Sequence, residues 1–226
     1  MTAPAPPGHP AGAAAVAAEL VSFGALLAAR GLAPGASGNL SVRLAEDEGG
    51  GYLLTQTGAR LGALEAASLS WLDERGDHRA GDPPTKEVAL HLAVYVARPR
   101  ARAVVHLHSS WSVAVSCLDG LDAADVLPPL TAYYVMRVGQ LPLVPYHPPG
   151  SIGLAGAVGA LARGHHAVLL ANHGPVVAGT TLDEAVAAAE ELEETARLHL
   201  MLAGRRTRPL SAEQAAALRP RGAPGR

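Results

Sequence analysis

Ala103-Val104-Val105-His106-Leu107-His108, followed later by Ala167-Val168-Leu169-Leu170-Ala171-Asn172-His173-Gly174, decides how this chain is read. The first stretch has the β-branched, apolar content of a buried strand that ends in polar residues. Residues two apart on a strand point to the same face, so His106 and His108 can reach one ion. Two imidazoles leave a divalent metal short of ligands. The best third candidate is His173, which also follows a strand-like apolar run. Three neutral imidazoles with an open position describe a catalytic zinc site better than a structural one. Two ordinary strand histidines would show the same local spacing, so the rest of the chain has to decide.

Outward from these strands, elements alternate. Residues 11–30 carry a helical stripe of Val16, Leu20, Phe23, Leu26 and Leu27, stopped by Gly31. Residues 35–39 make a glycine-rich turn into an alternating strand over 40–44. An acidic, glycine-rich hairpin turn leads to a strand over 52–55, and a further strand is expected near 70–73. Gly81-Asp82-Pro83-Pro84 introduces a helix over 87–97 with Thr85 at or near its N-cap, and Pro99 ends it. Residues 110–118 read as a short helix, 128–138 as less regular, and 141–145 as a proline-limited edge strand. A helix over 153–163 precedes the strand that reaches His173, and a strand over 175–178 follows. The long helix over 182–202 places Asp183, Glu184, Glu190, Glu191, Glu193 and Glu194 on a solvated face. Without a strict βαβ rhythm, this order predicts an α/β/α sandwich around a mainly antiparallel central sheet. Residues 1–10 read as a disordered lead-in, 11–210 as one domain, and 211–226 as a flexible tail with a short helical turn near 212–218.

With 226 residues and 23.0 kDa the chain can bury a full core. Apolar residues at 49%, charged residues at 17% and a mean hydropathy of +0.17 mark a globular composition. A formal net charge of -2 gives no reason to expect a nucleic-acid partner. No uninterrupted apolar run reaches membrane-spanning length, and residues 1–12 lack the pattern of a signal peptide, so no membrane partner is expected. Cys117 is the only cysteine, expected as a small buried residue, and a reducing cytoplasm is the simplest setting. Lys86 is the only lysine among 18 basic residues, and it sits beside Glu87. An ammonium and a guanidinium are not interchangeable at a tight anion site, which favours a functional reading of Lys86. His91, one helical turn after Glu87, reads as a hydrogen-bonded core group, whereas His165 and His166 read as surface residues.

Over its ordered length the chain resembles the class II aldolase/adducin family. The resemblance rests on Ser37-Gly38-Asn39-Leu40-Ser41, Thr55-Gln56-Thr57-Gly58, residues 84–95, residues 103–108 and Asn172-His173-Gly174, in the family's order. Residues 84–87, 106–112 and 135–139 are most similar to a branch that decarboxylates 3-oxo-tetronate 4-phosphates. The resemblance implies one zinc per subunit, with manganese or cobalt as alternatives, held by His106, His108 and His173. It implies that Glu87 is the acid/base, able to touch the metal; delivering a proton would require its pKa to be raised. It assigns phosphate binding to Gly38, Asn39, Thr57, Gly58, Thr85 and Lys86. The family's aldolases carry small hydroxyl residues at the last two of these positions, so Lys86 departs from them. The implied partner is a small sugar-acid phosphate, converted through an enediolate to dihydroxyacetone phosphate and carbon dioxide. A homotetramer with sites at subunit interfaces is implied as well, Tyr133 or Tyr134 reaching a neighbouring site. Two alternatives remain: a sugar-phosphate aldolase or epimerase of the fuculose-phosphate or ribulose-phosphate type, and a noncatalytic adducin-like scaffold.

Overall fold

One eight-stranded sheet organises the computed structural model, which describes residue 5 and residues 7–218. Its strands are β1 (Asn39–Arg43), β2 (Tyr52–Leu54), β3 (Ser70–Leu72), β4 (His78–Ala80), β5 (Ala103–His106), β6 (Leu143–Val144), β7 (Ala167–Leu170) and β8 (Gly174–Gly179). Their spatial order is β4-β3-β2-β1-β5-β8-β7-β6, and every neighbouring pair is antiparallel except β6 with β7. Among the described residues the α-helices are α1 (Ala14–Ala29), α2 (Val88–Ala97), α3 (Ser110–Ser116), α4 (Ala132–Arg137), α5 (Ile152–Ala162), α6 (Leu182–Met201) and α7 (Ala212–Leu218).

Strand alternation builds a separate core on each face. Ala103 and Val105, with Ala167, Leu169 and Val177, pack into a core shared with α1, α4 and α6. Val104, Val168, Leu170, Val176 and Ala178 point the other way, into a core shared with α2 and α5. Strands buried on both faces are continuous apolar runs, which is why β5 and β7 stood out. The result is the three-layer arrangement expected, with a mainly antiparallel sheet.

Several local expectations change. β4 and α4 are additions: β4 is a short polar edge without apolar alternation, and α4 starts at Thr131, whose Oγ1 accepts from the Tyr134 N–H at 3.0 Å. Residues 7–10 are not a loose lead-in, because the His9 ring Nε2 lies 2.7 Å from the Leu69 carbonyl oxygen. The tail is likewise anchored past residue 211: α7 buries Ala215, and the Leu210 N–H donates to Pro129 O at 2.9 Å. Residues 1–4, 6 and 219–226 lie outside the described residues. Cys117 is exposed rather than buried, because it follows the last residue of α3. His166 is half-buried, its ring nitrogens 3.3 Å from Ala178 O and 3.1 Å from Val138 O. Residues Ala11–Ala29 form a helix long and apolar enough by composition to cross a membrane. Its Val16, Ala17, Leu20 and Leu27 nevertheless lie in the core, and the exposed Glu19 interrupts the apolar run.

Glu193 is the largest departure. Instead of joining the solvated face of α6, it is 7% exposed and accepts from the Trp111 and Ser112 N–H groups at 2.8 Å and from the Ser112 hydroxyl at 2.6 Å. A carboxylate on unsatisfied N–H groups of a helix N-terminus is a favourable cap. It ties α6 to α3, which starts two residues after His108.

The β7–β8 hairpin depends on a close approach. Gly174 has φ 145°, and a Cβ there would stand 2.2 Å from Leu107 O. Gly174→Ala should lower the unfolding free energy by about 1–3 kcal/mol or more through strain and displaced backbone. Urea denaturation measures this, and an unchanged midpoint would rule out the close packing.

Candidate active site

His106 ends β5 on the face that Val104 presents to α2, and Leu107 is buried on the opposite side. His108 follows at the same parity, and the tight β7–β8 turn brings in His173. Asn172 makes this turn by adopting φ 57°, a left-handed conformation that Asn tolerates. The His173 N–H then donates to Leu170 O at 3.2 Å. The resulting ring nitrogens converge: His106 Nε2 lies 3.3 Å from His173 Nε2 and 3.2 Å from His108 Nε2.

These spacings suit a metal. A tetrahedral ion with metal–nitrogen bonds of about 2.0–2.1 Å separates its nitrogens by roughly 3.3 Å. The Nδ1–H of His106 donates to Pro175 O at 2.8 Å, which turns the Nε2 lone pair toward the cluster. Burial, helped by the neighbouring imidazoles, lowers the His108 and His173 pKa values to about 4. Both rings are therefore neutral near pH 7, as metal ligation requires.

Glu87 completes the cluster from the N-terminus of α2. Its carboxylate and the three ring nitrogens can each place a donor atom within 4.8 Å of all the others. Oε2 accepts from Asn39 Nδ2 at 2.8 Å and lies 3.2 Å from His106 Nε2. Among the described residues Oε1 is buried without a hydrogen bond, 3.6 Å from His173 Nε2. Burial pushes this carboxyl up, while His106, Asn39 and His173 pull it down, and when the imidazoles carry protons toward it the balance lies below the usual carboxylate range. The raised pKa expected of this carboxyl is not what these neighbours favour, because the shell around it is polar rather than apolar.

A cavity of about 560 Å³ opens beside the cluster. Gly38, Asn39, Thr57, Gly58, Thr85 and Lys86 all line it, together with Glu87, His108 and His173. Gly38 sits at φ +80°, and a Cβ there would stand 2.8 Å from His106 O, so only glycine lets this turn lie against the histidine strand. Three of the expected phosphate donors are already engaged, among them the Thr85 N–H, which donates to Thr55 O at 3.2 Å. The Thr57 N–H donates to Pro83 O at 2.9 Å, leaving Thr57 its hydroxyl, and the Asn39 amide is committed to Glu87 and His91. Gln56 and Asn172 also line the cavity. Both lie inside the motifs quoted above, but nothing in their residue type marked them.

Tyr133 does not join this cavity. It is 61% exposed and lines a separate groove with Trp111, Arg137 and residues of α6, whereas Tyr134 is 1% exposed.

The class II aldolase and adducin N-terminal domain matches residues 18–200, and the chain belongs to this family. A 3-oxo-tetronate 4-phosphate decarboxylase from Escherichia coli strain K12 is 50% identical over 190 residues, which are 84% of this chain and 88% of the relative. The crystal structure of YgbL from Klebsiella pneumoniae, 48% identical, superposes with a TM-score of 0.87 and covers 91% of this chain and 98% of its own. An L-fuculose phosphate aldolase from Haemophilus influenzae is 36% identical over 174 residues, 76% of each chain. The resemblance drawn from the motifs is borne out.

The buried rings set a pH dependence. An unfolded histidine takes up a proton near pH 6.5, whereas His91, His108 and His173 in the fold do so only near 3, 4 and 4. Between about pH 6.5 and 4 the unfolded chain binds more protons, so acid favours unfolding. Chelator-treated protein should show a lower urea midpoint at pH 5 than at pH 7. An equal midpoint would mean that these rings are protonated in the fold.

Proposed function

We propose that the chain decarboxylates a 3-oxo-tetronate 4-phosphate to dihydroxyacetone phosphate and carbon dioxide, with zinc held by His106, His108 and His173. Like the relatives named decarboxylase and aldolase that it matches over most of its length, it is a carbon–carbon lyase. The observation that carries the finer reading is its identity to relatives named for this decarboxylation, higher than its identity to the aldolase. Lys86, an ammonium on the cavity wall beside Glu87, supports an extra negative charge on the substrate. A nitrogen-rich ligand set favours zinc over manganese, and cobalt would fit the same donors.

The substrate is a β-keto acid with its carboxylate on carbon 1, hydroxyl on carbon 2, ketone on carbon 3 and phosphate on carbon 4. The Gly58 amide, the Thr57 and Thr85 hydroxyls and Lys86 form the anion-binding wall. Breaking the bond between carbons 1 and 2 sends its electron pair toward the carbon 3 ketone, and carbon 1 leaves as carbon dioxide. A divalent cation held by His106, His108 and His173 would supply Lewis-acid stabilisation of the negative charge that develops on the substrate oxygens. Glu87 then moves the proton. The entering anions raise its proton affinity as they displace water. Asn39 fixes Oε2, so the unpartnered Oε1 carries the solvent-derived proton to carbon 2.

In this reading the enzyme is a cytoplasmic homotetramer, and Tyr133 rather than the buried Tyr134 reaches a neighbouring site. The exposure of Tyr133, Trp111 and Met136 supports such a contact.

Metal-replete protein incubated with isomers of 3-oxo-tetronate 4-phosphate should release carbon dioxide and dihydroxyacetone phosphate from one of them. Aldehyde from a ketose 1-phosphate, with no carbon dioxide from any isomer, would replace this reading by the aldolase one. An inverted stereocentre would indicate the epimerase. Lys86→Ala should lower kcat/KM by about tenfold or more, the loss of a charge-assisted contact worth roughly 1.5–3 kcal/mol. A change within about twofold would remove Lys86 from substrate recognition.

A further inference from the structure

Behind Glu87 runs a buried polar chain that the proposed chemistry does not yet use. Glu87, His91 and Tyr95 are spaced four apart along one face of α2, from its N-cap to its last turn, while Asn39, Ser41 and Arg43 alternate along one face of β1. Four helical residues rise about 6.0 Å and two strand residues about 6.7 Å, so the two rows stay in step. Asn39 Nδ2 donates to Glu87 Oε2 at 2.8 Å, and Asn39 Oδ1 lies 2.5 Å from His91 Nε2. His91 Nδ1 lies 2.6 Å from Ser41 Oγ, which is 2.8 Å from the Tyr95 hydroxyl. His91 and Ser41 are fully buried.

Every proton in this chain has a determined place. A carboxylate only accepts, so Asn39 must turn its amide nitrogen toward Glu87 and its oxygen toward His91. That oxygen needs a donor, so His91 carries its proton on Nε2. Its Nδ1 then accepts from Ser41, and Tyr95 is the donor to Ser41. With the other tautomer, two lone pairs would meet at 2.5 Å and the Asn39 amide would lose its reason to hold this orientation.

We propose that His91 is a positioning residue that fixes the amide of Asn39 and, through it, the Glu87 carboxylate at the metal cluster. The proposal rests on the reading of Glu87 as proton carrier beside a metal, but not on which substrate is turned over.

Two isosteres separate donor from bulk. In His91→Gln the side-chain amide nitrogen falls near the Nε2 position and can still donate to Asn39. In His91→Asn it falls near Nδ1 and cannot. Cobalt(II) affinity, measured by chelator competition without substrate, should fall about tenfold or more in His91→Asn and recover most of that loss in His91→Gln. In the metal-loaded enzyme, kcat should follow the same order while KM stays within about threefold. On an Asn39→Ala background the two substitutions should become equivalent. Thermal unfolding followed by circular dichroism checks that each variant folds. The positioning role is overturned if folded His91→Asn and His91→Gln match in cobalt affinity and kcat. It is equally overturned if their difference persists without the Asn39 amide, or if neither variant folds, since His91 would then be a structural group only. Tight cobalt binding with the expected order, but no carbon dioxide release, would sink the decarboxylase reading and leave this one standing.

Discussion

The structure depends on holding a helix end at a fixed height against a strand. α2 meets β1 through hydrogen-bonded side chains instead of an apolar ridge alone, and each buried polar group left unpaired would cost about 1–3 kcal/mol. A slide of α2 by one turn would break all these pairs together. Apolar packing tolerates small shifts, whereas a row of directional bonds does not. At the outer end of the row, Arg43 donates to the Tyr95 and Pro99 carbonyl oxygens and lies 4.8 Å from the Tyr95 ring centroid, closing the row against solvent. At the inner end the row stops at Glu87 Oε1, the carboxylate oxygen with no hydrogen bond, and that atom faces the histidines.

The histidines are fixed by equally local means from the other side. β5 pairs with β8 so that His106 lies opposite Val176, and Pro175 O takes the His106 Nδ1 proton. Glu193 reaches across from α6 to cap the helix that begins just past His108. His173 hangs on a hairpin whose Gly174 touches the backbone of Leu107. Sheet pairing, a helix cap and a glycine contact therefore each set one ring, and α2 brings the carboxylate to them as a separate unit.

This division explains what the sequence made legible. Strand-borne histidines announce themselves by spacing, and apolar runs mark β5 and β7, because burial on both faces imposes that composition. The glycine turns at Gly38 and Gly58 are visible for the same reason of local geometry. Pairings between distant positions are not. Nothing near Glu193 says that it will cap residues 111 and 112, and a glutamate on an acidic helix face looks solvated. Asn39 was legible as a cavity residue but not as the partner of Glu87 and His91, 48 and 52 positions away. β4 and α4 lacked apolar periodicity: one is a polar edge and the other a single short helix set by the Thr131 cap. Cys117 was misread because burial preference by residue type carries no information about where a short helix ends.

Under the proposed chemistry the cluster is indifferent to what leaves. Cleaving a bond next to the ketone pushes charge onto the same oxygen whether the departing carbon is an aldehyde or carbon dioxide, so the histidines and Glu87 need no alteration between the two reactions. The difference lies in the ground state. A retro-aldol substrate brings one anionic group, its phosphate, whereas a β-keto acid phosphate brings a second, its carboxylate. Under the proposed decarboxylation the cavity has to bind that added charge without stabilising it so well that it stays. An exposed, flexible ammonium such as Lys86 suits this balance better than a buried guanidinium fork, which would grip the carboxylate in the ground state and raise the barrier to its loss.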